Sequence, residues 1–377
     1  MKKSNENGKR TFAVWVVLLG VIAMALGGYV FLWDEGEREL SPEELAARNA
    51  AQIESYQELQ GQLSLAMENR RDARHLLPAI RELAAERSDD VQMQLLLAQA
   101  ELFGRRYQAA YDAFEKALAI KPDQYQVQLL TGTIAYEYLN DVMAARKHYE
   151  AARLIQPLNP RPLLYLAQLD LEAKDYVMAR KLLDEAIALD PLRGEPYAML
   201  SDLDREEGKT GAAMVSIQKA IELAKQAAQG IGEKKSAEKP VVVTYVLKYV
   251  GLLKDAGRYE DALVVLDELP ASERVESNVM KETAAVWLAL GKPEQAGAYF
   301  KQILVLDPAN ETAAGLAARC YLDAGDVQSA RWMILKLRQI NPESEELKVL
   351  DKRLLDIETA GTGSMTAPTG AESNAGF

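Results

Sequence analysis

The chain has 377 residues, with 44 basic and 56 acidic side chains and a formal net charge of −12 at pH 7. A surface with this excess of carboxylates repels phosphate backbones, which disfavours nucleic-acid binding and broad adhesion to anionic lipid. Because Cys320 is the single cysteine, neither an intrachain disulfide nor a multi-cysteine metal site can form.

The first predicted element is an apolar segment near the N-terminus. Residues Thr11–Trp33 carry no charge, and a helix of this length reaches roughly 35 Å at about 1.5 Å per residue, enough to cross a bilayer core. Basic side chains lie within residues 1–10 and acidic ones follow the segment. This asymmetry predicts a cytoplasmic N-terminus at residues 1–10, a membrane anchor at 11–33, and the rest of the chain outside the cytoplasm.

A cleaved signal peptide is the alternative interpretation of this segment. Ala23-Met24-Ala25 fits a small-x-small cleavage site. The apolar run continues well past Ala25, which favours a retained anchor. Residues 34–56 then predict a connecting helix, since Ser41-Pro42-Glu43-Glu44 has the pattern of a capped helix start.

A repeat occupies most of the remaining chain. Its pattern is Ala-x3-(aromatic or aliphatic)-x2-Ala-x4-Pro, as in Ala110, Phe114, Ala117 and Pro122. The copies begin at Ala110, Ala145, Ala179, Ala213, Ala262, Ala296 and Ala330, and residues 57–88 form a degenerate earlier copy. The interval is 34 or 35 residues except for one of 49. We attribute that excess to a polar, turn-rich insertion at residues 230–242, which separates array parts 57–229 and 243–342.

Each copy predicts two short helices joined by a tight turn. Glycines stand five residues before the first alanine in four copies, where a helix ends in a left-handed residue: Gly208, Gly257, Gly291 and Gly325. One hairpin cannot bury its own apolar face, so neighbouring copies must stack. The insertion is interpreted as a passive loop, with a hinge between half-arrays as the alternative.

This pattern resembles the tetratricopeptide repeat family over roughly three quarters of the chain. The resemblance implies an all-α fold, a right-handed superhelical solenoid of helix-turn-helix repeats, here following one transmembrane helix. It also implies a concave groove, lined by the first helices of the hairpins, that holds a peptide or a partner helix. Placing this sequence on the family pattern gives these candidate groove residues: Gln92, Gln99, Phe103, Ile134, Tyr138, Arg161, Gln168, Glu172, Asp202 and Arg205.

Two points limit the groove prediction. Phe103 and Tyr138 would either anchor a partner or pack between neighbouring helices. The Lys/Asn/Arg clamp with which some family members hold a C-terminal carboxylate is not recognisable here. After the array, residues 343–359 predict a capping helix, and residues 360–377 are small, polar and turn-rich, which predicts a disordered tail.

The sequence shows no pattern for chemistry. It has no Gly-rich phosphate loop, metal-ligand cluster or Ser/His/Asp arrangement, so we expect neither an enzyme nor a cofactor. Its two histidines, His75 and His148, are interpreted as solvated helix residues. Cys320 is interpreted as a small packed thiol.

The sequence therefore favours a scaffold for other proteins, held at a bacterial inner membrane with the array in the periplasm or outside the cell. It would assemble partners in cell-envelope assembly or secretion. Two alternatives remain open: a chaperone-like module beside the translocon that binds unfolded clients, and an accessory subunit of an envelope biosynthesis or cytochrome maturation complex. The partner and the oligomeric state are not specified by the sequence.

Overall fold

The computed structural model describes residues 42–69, 72–229 and 239–363. Every regular element in these ranges is a helix, which confirms the all-α prediction. The described residues divide into two compact units, unit 1 ending at Pro191 and unit 2 beginning at Leu192.

Unit 1 contains eight α-helices among its described residues, and a single 3-10 turn at Arg74–Leu76 precedes the second. They are α1 (Pro42–Glu68), α2 (Leu77–Glu86), α3 (Val91–Phe103), α4 (Tyr107–Ile120), α5 (Tyr125–Glu137), α6 (Val142–Ile155), α7 (Arg161–Glu172) and α8 (Tyr176–Leu189). The first helices of the hairpins are α3, α5 and α7. The second helices are α4, α6 and α8. Helix α1 continues across residues 56 and 57, where the sequence predicted a boundary.

Unit 2 has ten α-helices in the part of it that is described. They are α9 (Gly194–Glu206), α10 (Thr210–Gln229), α11 (Lys239–Asp255), α12 (Tyr259–Asp267), α13 (Ala271–Arg274), α14 (Ser277–Ala289), α15 (Pro293–Leu306), α16 (Glu311–Asp323), α17 (Val327–Ile340) and α18 (Glu345–Gly363). Here the first helices are α9, α11, α14 and α16, and the second helices are α10, α12, α15 and α17. Helix α18 lies where the capping helix was predicted, and its Leu347 and Leu350 are buried.

Small side chains set the distance between the paired helices. The first alanine of all seven copies, from Ala110 to Ala330, is fully buried, and so are the residues seven positions later, from Ala117 to Leu337. An alanine at a helix crossing allows close approach of the two backbones, and a larger side chain there would push them apart. The structure therefore confirms that the repeated alanines form the core of the hairpins.

The turns inside the hairpins use left-handed residues, as predicted. Gly208, Gly257, Gly291 and Gly325 have φ between 69° and 77°. In unit 1 residues with side chains hold the same position, which the glycine pattern did not predict: Arg105, Asn140 and Lys174 have φ of 55–59°. The next helix often begins with a capping carboxylate, since Asp141 and Asp175 accept hydrogen bonds from the backbone N–H groups of Ala144 and Met178.

Several predictions concern residues outside the described ranges. The membrane segment Thr11–Trp33, residues 230–238 of the insertion and residues 364–377 of the tail are among them. Within residues 42–69, 72–229 and 239–363, no helix is both long and apolar enough to cross a bilayer. The anchor and the superhelical path of the array stay predictions.

Candidate functional site

The turn in each hairpin fixes the register of its first helix. The N–H group after the left-handed residue donates to a carbonyl five residues back: Arg106 to Glu101, Asp175 to Asp170 and Lys209 to Asp204, at 2.7–2.8 Å. In the α5–α6 hairpin the same bond runs from Asp141 to Ala135, six residues back. This turn therefore contains one extra residue. Each position of α5 lies one residue further from α6 in the sequence than the equivalent position of another first helix lies from its second helix.

The extra residue corrects two of the predicted groove positions. Ile134 is 0% exposed and belongs to the core of unit 1, so it lines no surface. Tyr138 lies beyond α5, half-buried, with its ring stacked on Tyr107 at a centroid distance of 3.8 Å. Counted from the turn, Ile134 and Tyr138 are replaced by Thr133 and Glu137, and Tyr136 takes the position that Arg205 has in α9. The sequence signal for this shift is Gly132. It holds the small-residue position of α5 that Ala98 and Ala167 hold in the neighbouring first helices.

The other predicted residues keep their places on the first helices. In unit 1, Gln92, Phe103, Arg161 and Gln168 are half-buried, Gln99 is buried and Glu172 is exposed. Gln168 donates to Glu172 at 2.9 Å, and the hydroxyl of Tyr136 donates to the same carboxylate oxygen. This shared acceptor brings α5 and α7 together on one face. Asp202, half-buried, and Arg205, exposed, lie on α9 in unit 2.

We name the surface formed by Gln92, Phe103, Thr133, Tyr136, Arg161, Gln168 and Glu172 the unit 1 face. Its charges differ from those of the equivalent surface in unit 2. There, ion pairs join consecutive first helices: Lys248 lies 2.5 Å from Asp202, and Lys254 lies 3.0 Å from Glu282. Counted from the turn, Asp202 is equivalent to Gln99 and Thr133 in unit 1, and Lys254 is equivalent to Tyr136. Lys248 and Glu282 are equivalent to Leu130 and Tyr165. None of these unit 1 residues is charged.

Polar groups on the unit 1 face retain bonding capacity. The Oε1 atom of Gln92 is buried and has no hydrogen-bond partner among the described residues. The guanidinium of Arg161 has no carboxylate within salt-bridge distance in the same part of the chain. A buried amide oxygen without a partner costs roughly 1–3 kcal/mol, so Gln92 carries an unsatisfied polar atom at the start of α3. Thr133 is already occupied, since it donates to the carbonyl of Leu129 at 2.9 Å.

A buried histidine lies between α4, α5 and α6, beneath the same hairpins. His148 is 1% exposed, so its interpretation as a solvated residue was wrong. Gln128 donates through Nε2 to the carbonyl of Pro122, which leaves its Oε1 facing Nδ1 of His148 at 2.8 Å. Nδ1 therefore carries the hydrogen. Nε2 lies 3.1 Å from Glu115 Oε1 and 3.3 Å from the Tyr111 hydroxyl.

Cys320 lies in α16 and is buried, as predicted. Burial raises the pKa of its thiol to about 11, with a further contribution from Asp323, so the reactive thiolate is scarce at neutral pH. In the ranges that the structure describes, no group of three or more His, Cys, Asp or Glu side chains is arranged to hold a metal ion.

Family comparisons agree with the helical hairpins. One profile described as "Tetratricopeptide repeat" matches residues 59–125 and 134–193, and a second with the same description matches residues 288–350. Together these ranges cover just over half of the chain. A search of curated proteins gave no match.

The solved structures that match this chain have low sequence identity to it. They include the APC/C hetero-tetramer Cut9–Hcn1 (17% identity, 66% of this chain and 46% of that chain, TM-score 0.46). A tetratricopeptide repeat protein from Parabacteroides merdae is similar over 70% of this chain and 98% of its own (16% identity, TM-score 0.46). YrrB, described as a TPR protein with an unusual peptide-binding site, is similar over 55% of this chain and 100% of its own (16% identity, TM-score 0.40). This chain spans less than half of the matched chain of the Cut9–Hcn1 assembly.

Proposed function

The chain belongs to the tetratricopeptide repeat family, and from this membership we propose that it is a protein-binding scaffold whose unit 1 face holds a segment of a partner protein. We choose the unit 1 face because its charges differ from those of the equivalent surface in unit 2. In unit 2, side chains at the equivalent positions already neutralise one another across neighbouring helices. In unit 1 those positions are uncharged, so a partner need not displace an existing ion pair to reach the surface.

The side chains of the unit 1 face indicate the chemistry of the partner segment. Tyr136 and the half-buried Phe103 offer flat apolar area, of the kind that dominates binding energy at interfaces. The amides of Gln92 and Gln168, both half-buried, can bond to the backbone of an extended or helical segment. Arg161 favours an acidic side chain or a backbone carbonyl at one end of the segment.

We propose further that this scaffold is held at the inner membrane by Thr11–Trp33, with the array outside the cytoplasm, where it serves envelope assembly or secretion. The apolar length of that segment and the basic residues before it support the proposal. We expect the full chain to stay in the membrane fraction after alkaline extraction, and protease added from outside the inner membrane to digest the array. An array protected from the protease would contradict this orientation, and release by alkaline extraction would contradict the anchor.

Site-specific crosslinking tests the unit 1 face. We expect a photo-crosslinking amino acid at Tyr136 or Gln168, in cells that express the full chain, to attach to one or two defined proteins. The same amino acid at Leu154 or Val177, which are exposed on second helices, serves as the matched control and should not attach to those proteins. A smear of many attached proteins would favour the chaperone alternative. No attachment at the face, or equal attachment at the control positions, would contradict the proposal.

Charge reversal then tests the face against the identified partner. We expect Arg161→Glu to lower crosslinking from Tyr136 by about tenfold, which is the usual order for loss of one charged interface contact. Lys181→Glu makes the same charge change on the exposed surface of α8 and should leave the yield unchanged. Equal yields from both variants would remove Arg161 from the binding surface.

A further inference from the structure

Helix α17 is unusual in this acidic chain because it has no acidic residue. Its sequence, VQSARWMILKLRQI, contains Arg331, Lys336 and Arg338 and no Asp or Glu. The chain as a whole has 56 acidic residues and a net charge of −12. A second helix with this composition carries a local positive potential on an otherwise negative protein, which attracts acidic groups.

Contacts within the protein show what kind of segment binds to α17. Helix α18 packs against it, and Arg331 lies 2.6 Å from Glu358 while Arg338 lies 2.7 Å from Asp351. Leu347 and Leu350 of α18 are buried in the same core cluster as Met333 and Leu337 of α17. An amphipathic helix that combines carboxylates with leucines is therefore already bound along part of α17.

A different part of α17 also combines basic and apolar side chains, but no helix among the described residues covers it. Trp332 is 48% exposed, and Leu335, three residues further along the helix, is 48% exposed. Two ammonium groups lie over the Trp332 ring, that of Lys336 at 5.8 Å and that of Lys301 on α15 at 5.7 Å from its centroid. Val305, one turn beyond Lys301, is 75% exposed. We name these five residues the Trp332 patch.

The charges of the Trp332 patch are uncompensated. Within the described ranges neither Lys301 nor Lys336 has a carboxylate within salt-bridge distance, whereas both arginines of α17 are paired. The attraction between an ammonium group and an exposed indole is weak, so it holds the lysines near the ring without satisfying their charge. Tryptophan is among the residues most enriched at the positions that dominate binding energy in protein interfaces.

We propose that the Trp332 patch is a second docking surface, which binds an acidic amphipathic segment of a partner protein. Leucine-type side chains of that segment cover Trp332, Leu335 and Val305, and its carboxylates pair with Lys301 and Lys336. The patch lies on second helices of unit 2, so it is separate from the unit 1 face and does not depend on the function proposed for it. An anionic membrane is the less favourable occupant, because an extended anionic surface would also meet the chain's net charge of −12, while a single segment touches only the patch.

Binding of defined peptides to the full chain tests this proposal. The probe is a fluorescein-labelled amphipathic helical peptide of about four turns, with leucines on one face and glutamates on the other, followed by fluorescence anisotropy. A second peptide has lysines in place of the glutamates. We expect the acidic peptide to bind and the basic one not to. We expect Trp332→Ala, and separately Lys301→Glu with Lys336→Glu, each to weaken binding by about tenfold or more.

Matched control variants show whether a loss of peptide binding comes from the patch itself or from a general change in charge or exposed surface. Lys281→Glu with Lys352→Glu makes the same change in net charge at exposed positions of α14 and α18. Val264→Ala trims an exposed side chain of α12. Neither control should change the affinity. The proposal is overturned if the acidic peptide does not bind, or if the patch variants bind as tightly as the controls.

Two further outcomes would assign the patch to another occupant and also overturn the proposal. Cosedimentation with phosphatidylglycerol vesicles that is lost in the Lys301→Glu, Lys336→Glu variant, without peptide binding, would identify a membrane surface. Concentration-dependent self-association of the full chain that Trp332→Ala abolishes would identify a second copy of this chain. Analytical ultracentrifugation of the same set of variants measures the latter.

Discussion

Gly132→Ala is expected to destabilise unit 1 by about 1–3 kcal/mol, although alanine is normally the better helix former. A Cβ atom at this position in α5 would lie 2.6 Å from Cε1 and 2.8 Å from Cδ1 of the Tyr149 ring, and 3.2 Å from Cβ of His148. The ring has no room to move, because Tyr149 is 1% exposed and stacks on Tyr165 at 4.9 Å. The helices α5 and α6 would therefore have to separate.

Gly251→Ala is the matched control for this prediction. Gly251 lies inside α11, where an added Cβ would meet nothing within 4 Å. The same substitution should there stabilise the protein by about 0.5–1 kcal/mol, because alanine loses less backbone entropy on folding. Urea unfolding of both variants measures the two free energies of unfolding. A Gly132→Ala variant as stable as Gly251→Ala would contradict the close packing of α5 on α6.

A double-mutant cycle identifies the atom responsible. Tyr149→Leu removes the ring that the added Cβ would meet, at its own cost of a few kcal/mol for a buried large-to-small change. In the Tyr149→Leu background, Gly132→Ala should cost clearly less than it does in the wild-type protein, so the two changes should not be additive. Additive effects would place the strain elsewhere than at the Tyr149 ring.

The second large effect expected is a loss of stability at low pH that depends on His148. Burial lowers the pKa of His148 below its ordinary value, and the carboxylate of Glu115 partly opposes this shift while Lys147 adds to it. In the unfolded chain the imidazole takes up a proton as the pH falls through about 6.5. The folded protein takes it up only at a lower pH, so the unfolded state binds more protons in the interval between the two pKa values.

The free energy of unfolding should therefore fall as the pH drops below about 6.5, at no more than about 1.36 kcal/mol per pH unit, and level off below the folded pKa. His148→Gln removes this group and leaves the carboxylates of the chain in place. Urea unfolding of the wild type and the variant between neutral and acidic pH isolates the histidine. A wild-type protein that loses no more stability than His148→Gln would contradict the lowered pKa.

The groups around His148 also decide what its protonation does to the hairpins. In the neutral form Nδ1 donates to Gln128, and Nε2 can accept from the Tyr111 hydroxyl. A proton on Nε2 would instead face Glu115 at 3.1 Å, across α4 and α6. Acidification thus exchanges one hydrogen bond between the two second helices for an ion pair, at the cost of a buried charge.

From the sequence, the candidate site could be assigned to particular helices but not to particular residues on them. The repeated alanines identify α3, α5 and α7 as first helices, and seven of the eight α-helices of unit 1 lie within the predicted array range. The surface residues of α5 were misplaced by one because positions were counted back from Ala145. The 35-residue interval before Ala145 and the glycine at position 132 carry the information that the turn is longer.

The sequence by itself determined the repeated hairpin, because alanine and glycine impose their effects locally. An alanine every 34 residues permits close helix packing wherever it recurs, and a glycine after a helix permits a left-handed turn regardless of its neighbours. The tertiary structure alone decided which charges pair between helices, that His148 is buried, and that Lys301 meets Trp332. Those contacts join residues of different hairpins, and their energies depend on distances that only the stacked array sets.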